Sequence, residues 1–312
     1  MRAVVQNDKG RASGRAPAGV RVGLTVLVLA AIASGCAQGG GSDQVAPAGG
    51  QQPLDAPPAR ALASYATKLR AAHAARAAAA HRWDLRKVPL AAPPAPEKKP
   101  RIKTRKGFQV DGHLERNLPP VFTTVPTRDK VVFLTIDDGA EKDRVFLRMM
   151  SDLDIPYTAF LSGYLVKDDT RYFRKMQSRG VVLNNHTLHH PNLRGLSYRA
   201  QKREICGMQR YMEKRFGKRP ALFRPPFGSY DRATLRAAKA CGITHVPLWN
   251  EEVFADRWEY READRRLHPG DIVLTHFRGR DQWKGTMADM IHRFLNKVTA
   301  QGYAVGRLED YL

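Results

Sequence analysis

The run Lys130-Val131-Val132-Phe133-Leu134-Thr135-Ile136-Asp137-Asp138-Gly139 decides how this chain is read. Its first half is β-branched and aromatic and predicts a buried strand over 131–136. Two adjacent carboxylates at the end of such a strand need a partner, a metal or an exposed strand mouth, because ionised groups are costly in a low-dielectric wall. Neighbours on a strand point to opposite faces, but past its end that alternation relaxes, and Gly139 permits a sharp turn. Both carboxylates can then face one cavity, one holding a metal and the other handling a proton. The simpler alternative is an Asp-Asp-Gly turn between strands.

Outward from this run, strands and helices alternate from about Arg128 to the end. Further strands are predicted over 157–161, 180–183, 222–223, 244–249, 271–275 and 303–305. Helices are predicted over 143–154, 170–179, 198–216, 232–241 and 287–300. This alternation argues for a parallel α/β architecture, open or barrel-like, in which strand ends carry the chemistry.

Three more strand ends carry suitable residues. After 181–183 comes Asn184-Asn185-His186-Thr187-Leu188-His189-His190. His186 and His190 are one helical turn apart in spacing, so both imidazoles can meet one ion. With Asp138 they make two His and one carboxylate, a set that suits Zn2+ or a similar divalent ion and leaves positions open for water and substrate. Surface histidines in a loop are the alternative. Arg224-Pro225-Pro226-Phe227-Gly228 fixes the backbone through its two prolines, while the N–H groups of Phe227 and Gly228 remain as donors for an oxyanion. Arg224 near Asp137 would orient that carboxylate; a rigid turn with a surface Arg is the alternative. Finally, Leu274-Thr275-His276 closes a strand, and His276 opposite a metal site is a candidate general acid.

Asp-Asp-Gly after a strand, His-Thr-x-x-His, Arg-Pro-Pro-Phe-Gly and Leu-x-His occur in that order, and the set resembles the polysaccharide deacetylase family (the NodB-homology domain, carbohydrate esterase family 4) over residues 128–312. The resemblance implies a distorted (β/α) barrel with fewer units than the eight-fold form. It also implies metal-dependent removal of N- or O-acetyl groups from polymers, with Zn2+, Co2+ or Ni2+ as the ion. By motif, Asp137 is the base, and Asp138, His186 and His190 are the metal ligands. Arg224 positions Asp137, the Phe227 N–H helps hold the oxyanion, His276 is the acid, and Leu274 lines the pocket for the acetyl methyl. The family's Asp-x-x-Asp-Trp motif is irregular here: counted from Trp249, itself a substrate-lining candidate, Glu252 stands where the first Asp is expected, beside the catalytic His. The expected substrate is N-acetylated cell-envelope polysaccharide, foremost the amino sugars of peptidoglycan. The alternatives are an O-acetyl esterase of the xylan type and a non-catalytic glycan-binding envelope lipoprotein.

Residues 1–35 read as a secretion signal: a basic n-region, an apolar stretch over 22–33 too short to span a bilayer, then Ala33-Ser34-Gly35-Cys36. Small residues before Cys36 resemble a bacterial lipoprotein site, so Cys36 is expected to be acylated and to anchor a monomeric protein at the outer face of a membrane; plain secretion is the alternative. Residues 36–127 read as an Ala/Pro-rich tether containing a stalk helix over 60–83, and 128–312 as the catalytic domain. The net charge is +22, of which residues 1–127 carry +12, so the basic excess is densest outside the catalytic region. No nucleic-acid-binding motif accompanies it, and nucleic acid is not expected as a partner. If Cys36 is acylated, Cys206 and Cys241 remain as an even pair; a disulfide and two separately buried thiols are both open.

Overall fold

The computed structural model describes residues 59–104 and 117–312, and the backbone at 106–107 and 110–111. The expectations for the signal segment, Cys36 and the stretch up to residue 58 lie outside the described residues. In chain order the helices are α1 (Ala59–Arg82), α2 (Arg144–Asp152), α3 (Gly163–Val166), α4 (Thr170–Gln177), α5 (Tyr198–Phe216), α6 (Arg232–Ala240) and α7 (Met287–Ala300). The strands are β1 (Lys106–Gly107), β2 (Val110–Asp111), β3 (Val121–Phe122), β4 (Val131–Asp138), β5 (Thr158–Leu161), β6 (Val182–Asn185), β7 (Val246–Pro247), β8 (Glu251–Val253), β9 (Trp258–Tyr260), β10 (Ile272–His276) and β11 (Ala304–Gly306).

β4 is buried along its whole length, because it is paired in parallel with β10 on one side and β5 on the other, with β11 along its first half. A strand covered on both faces reads as a continuous apolar run, as this one does up to Ile136. Val131 and Phe133 join one core with Phe160, Phe223, Val246, Ile272 and Leu274. The alternate residues Val132, Leu134 and Ile136 pack under the helices, against Phe146, Phe173, Ile291 and Phe294. By the same alternation Thr135 and Asp137 belong to the first face.

The sheet closes into a distorted barrel. β5 pairs with β6, and bridges join Asn185 to Phe223 and Leu222 to His245. β7 pairs with β3, and Thr124 bridges back to Asp271 at the foot of β10. Chain N-terminal to Arg128 therefore supplies a wall of the barrel: Val121, Phe122 and Val125 are all core residues. The packed unit thus extends past the boundary expected at residue 128, and 57–312 form one compact unit. Nor is the stalk helix free along its length. Ala79 and Ala80 at the end of α1 are buried, and Arg82 and the Trp83 indole both donate to Asp152 at the end of α2. Lys99 donates to backbone carbonyls of Glu309 and the terminal Leu312.

Helix ends are capped by the short polar residues that precede them. Asp143 accepts from the N–H groups of Val145 and Phe146, and Asp231 with Thr234 and Thr286 with Asp289 form capping boxes. Gly217 ends α5 with φ +79°, a conformation that favours glycine. Cys206 in α5 and Cys241 at the end of α6 form a disulfide, so of the two readings left open by the sequence the structure has the bridge.

Candidate active site

Asp137 and Asp138 are the last two residues of β4, and the strand's alternation should send them to opposite faces. It does not, because Asp138 has φ +79°. That left-handed turn brings its carboxylate round to the side Asp137 already faces: His186 Nε2 lies 3.6 Å from Asp137 Oδ2 and 3.7 Å from Asp138 Oδ1. Asp138, Thr187, His190 and Phe227 are four of the eight non-glycine residues with positive φ among those described. Each such residue costs backbone energy, and their gathering in one place marks a site that the surrounding fold over-determines.

The histidine stretch is a turn rather than the helix its spacing allowed. Asn185 Oδ1 accepts from the Thr187 N–H, and Thr187 Oγ1 from the His190 N–H. Ser162 donates to the His186 carbonyl. The loop so held places the His186 and His190 rings 4.9 Å apart. His189 faces away and pairs with Glu204 at 2.9 Å. His186 Nδ1 lies 2.7 Å from the Arg224 carbonyl. A carbonyl only accepts, so Nδ1 carries the hydrogen and Nε2 keeps its lone pair toward the carboxylates. His190 Nε2 is 3.3 Å from Asp138 Oδ1. Burial, then the neighbouring His186, brings the His190 pKa down to about 4, so its ring is neutral and its lone pair available at ordinary pH.

Asp138 Oδ1 is buried and has no hydrogen-bond partner. One ligand atom each from Asp138, His186 and His190 lie within 4.8 Å of one another. A buried acceptor facing two imidazole lone pairs is unfavourable by itself and fits a divalent cation held by all three. Burial alone would raise Asp138, but His276, His186, His190 and Arg278 together hold it below its ordinary value. Arg278 was not anticipated from the sequence. Its Nη2 donates to Asp138 Oδ2 at 3.0 Å, leaving Oδ1 toward His186 and His190. Its only sequence signal is its place two residues after His276.

Arg224 is fully buried. Its Nη1 donates to Asp137 Oδ1 at 2.8 Å and Thr135 Oγ1 at 2.9 Å, its Nε to the Pro247 carbonyl and its Nη2 to the Leu248 carbonyl. The guanidinium lies 4.4 Å from the centre of the Phe160 ring. Four hydrogen bonds and a ring face fix it, so Asp137 Oδ1 is fixed in turn and Oδ2 is left toward His186. This is the contact expected from the sequence, and the surface-Arg alternative does not hold.

β10 sets His276 directly beside Asp137 in register. Its Nδ1 is 3.3 Å from Glu252 Oε1, and Glu252 comes from β8, which pairs Glu252 with Leu274. Burial pulls the His276 pKa down, but Glu252 and then the two aspartates outweigh it, and the net shift is upward. The irregular stretch after Trp249 is thus a β8–β9 hairpin that delivers Glu252 to the histidine. Leu274 is buried on the same β10. Phe227 is 60 % exposed, with its ring 4.7 Å from that of His190. Trp249 is mostly buried and carries the Arg261 guanidinium 5.5 Å from its ring centre. One sequence expectation fails: the Gly228 N–H donates to the Pro225 carbonyl, so it is not a donor for an oxyanion.

Comparison with known proteins agrees with this geometry. The family model described as polysaccharide deacetylase matches residues 124–246. An uncharacterized protein of Streptomyces coelicolor is 43% identical over 203 residues, covering 65% of this chain and 81% of that one. The chain belongs to the polysaccharide deacetylase family. Within it, the peptidoglycan-N-acetylmuramic acid deacetylase PdaA of Bacillus subtilis is 26% identical over 198 residues, covering 60% of this chain and 73% of that one. Among solved structures, a carbohydrate esterase family 4 pseudoenzyme from Bacillus anthracis superposes with a TM-score of 0.54 at 25% identity, covering 64% of this chain and 71% of that one. The deacetylase match begins at residue 124, inside the segment that closes the barrel.

Proposed function

We propose that this family member is a metal-dependent deacetylase of N-acetylated cell-envelope polysaccharide, with peptidoglycan amino sugars as substrate. The observation that carries the reading is the convergence of Asp138, His186 and His190 on one point beside Asp137 and His276. Asp138, His186 and His190 would hold a divalent ion, Zn2+ by donor type, which when bound would supply Lewis-acid polarisation of the acetyl carbonyl and an activated water. Asp137, with Oδ1 held by Arg224, accepts the water's proton on Oδ2. His276, oriented by Glu252, gives a proton to the departing amine, and the carboxylates around it shift its pKa upward, in the direction that favours the acid form. The Phe227 N–H is the backbone donor proposed for the oxyanion, Leu274 lines the acetyl pocket, and Trp249 and the exposed Phe227 ring offer apolar faces to a sugar. The likeness to PdaA supports peptidoglycan as the polymer.

We infer that the protein works outside the cytoplasm, tethered through an acylated Cys36. The signal-like N-terminus supports this, as does the Cys206–Cys241 disulfide, which persists in oxidising compartments. A second reading is a glycan-binding protein without turnover, favoured by the likeness to a pseudoenzyme. The test is acetate release by the full-length chain from peptidoglycan and from N-acetylglucosamine oligomers, before and after chelation and with Zn2+ restored. Metal-dependent release supports the deacetylase. Glycan binding with metal bound and no release gives the second reading.

A further inference from the structure

The opposite end of the barrel holds a second convergence of carboxylates and imidazole. Glu251 and Asp271 are both fully buried, at the feet of the adjacent strands β8 and β10. No Lys or Arg forms an ion pair with either among the described residues. The Asn250 side-chain amide donates to both, at 3.2 Å to Glu251 Oε1 and 3.2 Å to Asp271 Oδ1. The His268 N–H donates to Asp271 Oδ2 at 2.6 Å. Glu251 Oε2 is left buried with no partner.

His268 supplies the third donor. Its Nε2 lies 3.1 Å from Asp264 Oδ2. With the hydrogen on Nε2, the Nδ1 lone pair is directed at Asp271 Oδ2, 3.4 Å away. A carboxylate behind an imidazole is the arrangement that orients metal-binding histidines. One ligand atom each from Glu251, His268 and Asp271 lie within 4.8 Å of one another. A cavity of about 520 Å³ lined by Asn250, Glu262, Asp264, His268 and Asp271 opens beside His268 and Asp271.

We propose that Glu251, His268 and Asp271 form a second, structural site for a divalent cation, separate from the catalytic one. Two carboxylates and one imidazole suit Zn2+ or Mn2+. The ion joins β8 to the loop that leads into β10, and so braces the two strands that carry Glu252 and His276. The site lies roughly 16 Å along β10 from His276, at about 3.3 Å per residue, so the two ions do not share ligands. A carboxyl proton shared by Glu251 and Asp271 is the competing arrangement, and it neutralises one charge without an ion.

The experiment is metal stoichiometry by mass spectrometry on the full-length chain, loaded with Zn2+ and freed of loosely held ion by gel filtration. The expectation is about two ions per chain for the parent and about one each for Glu251→Gln, His268→Ala and Asp138→Ala. His268→Ala together with Asp138→Ala is expected to retain none. His268 is partly exposed, so its alanine variant, checked by thermal melting, serves if Glu251→Gln fails to fold. One ion kept by His268→Ala and lost on adding Asp138→Ala separates this site from the catalytic reading. One ion per chain in the parent overturns the proposal, and with an unaltered melting point for Glu251→Gln it assigns the pair to a shared proton. Two ions surviving in both Glu251→Gln and His268→Ala also overturn it.

Discussion

Asp138 shows how much one backbone angle does here. Were it to keep strand geometry, its carboxylate would lie among Val132, Leu134 and Ile136 under the helices, a costly burial with no partner. Its φ of +79° turns it to the two histidines instead, and Arg278 fixes its second oxygen. Removing partners that orient a ligand typically lowers metal affinity 10–100-fold. Arg278→Ala is therefore expected to weaken metal binding by about that factor without unfolding the chain, as read from competition with a graded chelator; an unchanged affinity would remove Arg278 from the site. In the proposed reaction Glu252 acts on proton transfer through His276. His276 must be protonated to serve as the acid, and its folded pKa is raised. Turnover should hold below that pKa and fall as pH rises through it. Glu252→Gln removes the anion that raises it, so the alkaline limb of kcat should move to lower pH. A limb that stays in place would mean that Glu252 does not tune His276.

At the scale of elements, the long periodic segments could be read from the chain, because one apolar stripe or one apolar run decides them. α5 and α7 have the expected bounds, and β4 extends two residues past its expected end into the aspartate pair itself. The elements that pattern does not reveal are short: α3 is a single turn, and β8 and β9 are three residues each. β8 alternates Glu251, Glu252 and Val253 between two faces, one toward His276 and one toward Asp271, so its charges conceal a buried strand. The disulfide was equally hidden, since spacing does not show that α5 and α6 lie side by side. It closes a loop of 35 residues, for which chain entropy gives roughly 3–4 kcal/mol. Cys206→Ser with Cys241→Ser should reduce the unfolding free energy by about 2–4 kcal/mol in a denaturant titration, with metal content retained. No loss would mean that helix packing alone holds α5 against α6.

For the whole molecule, the four strand-end motifs indicated a barrel correctly, but its lower boundary could not be read from them. Composition turns from Ala/Pro-rich to strand-like near residue 128, and the stretch before it is punctuated by proline. Yet that stretch holds β3, which pairs with β7, while Thr124 bridges to Asp271 and closes the wall. Closure is a long-range property: nothing local in Val121-Phe122-Thr123-Thr124 says which strand it will meet. Burying Val121, Phe122 and Val125 contributes about 1.5–3 kcal/mol each, a total comparable with the roughly 5–15 kcal/mol that holds a typical domain together. A chain starting at residue 128 loses this and exposes the edge of β7 and the foot of β10. It should be insoluble or lack a cooperative melt, and release no acetate. A chain starting at residue 57, where the compact unit begins, should melt cooperatively near the temperature of the full-length protein and bind metal. If the shorter chain melts as cooperatively as the longer one, β3 is a covering strand and the barrel is stable without it.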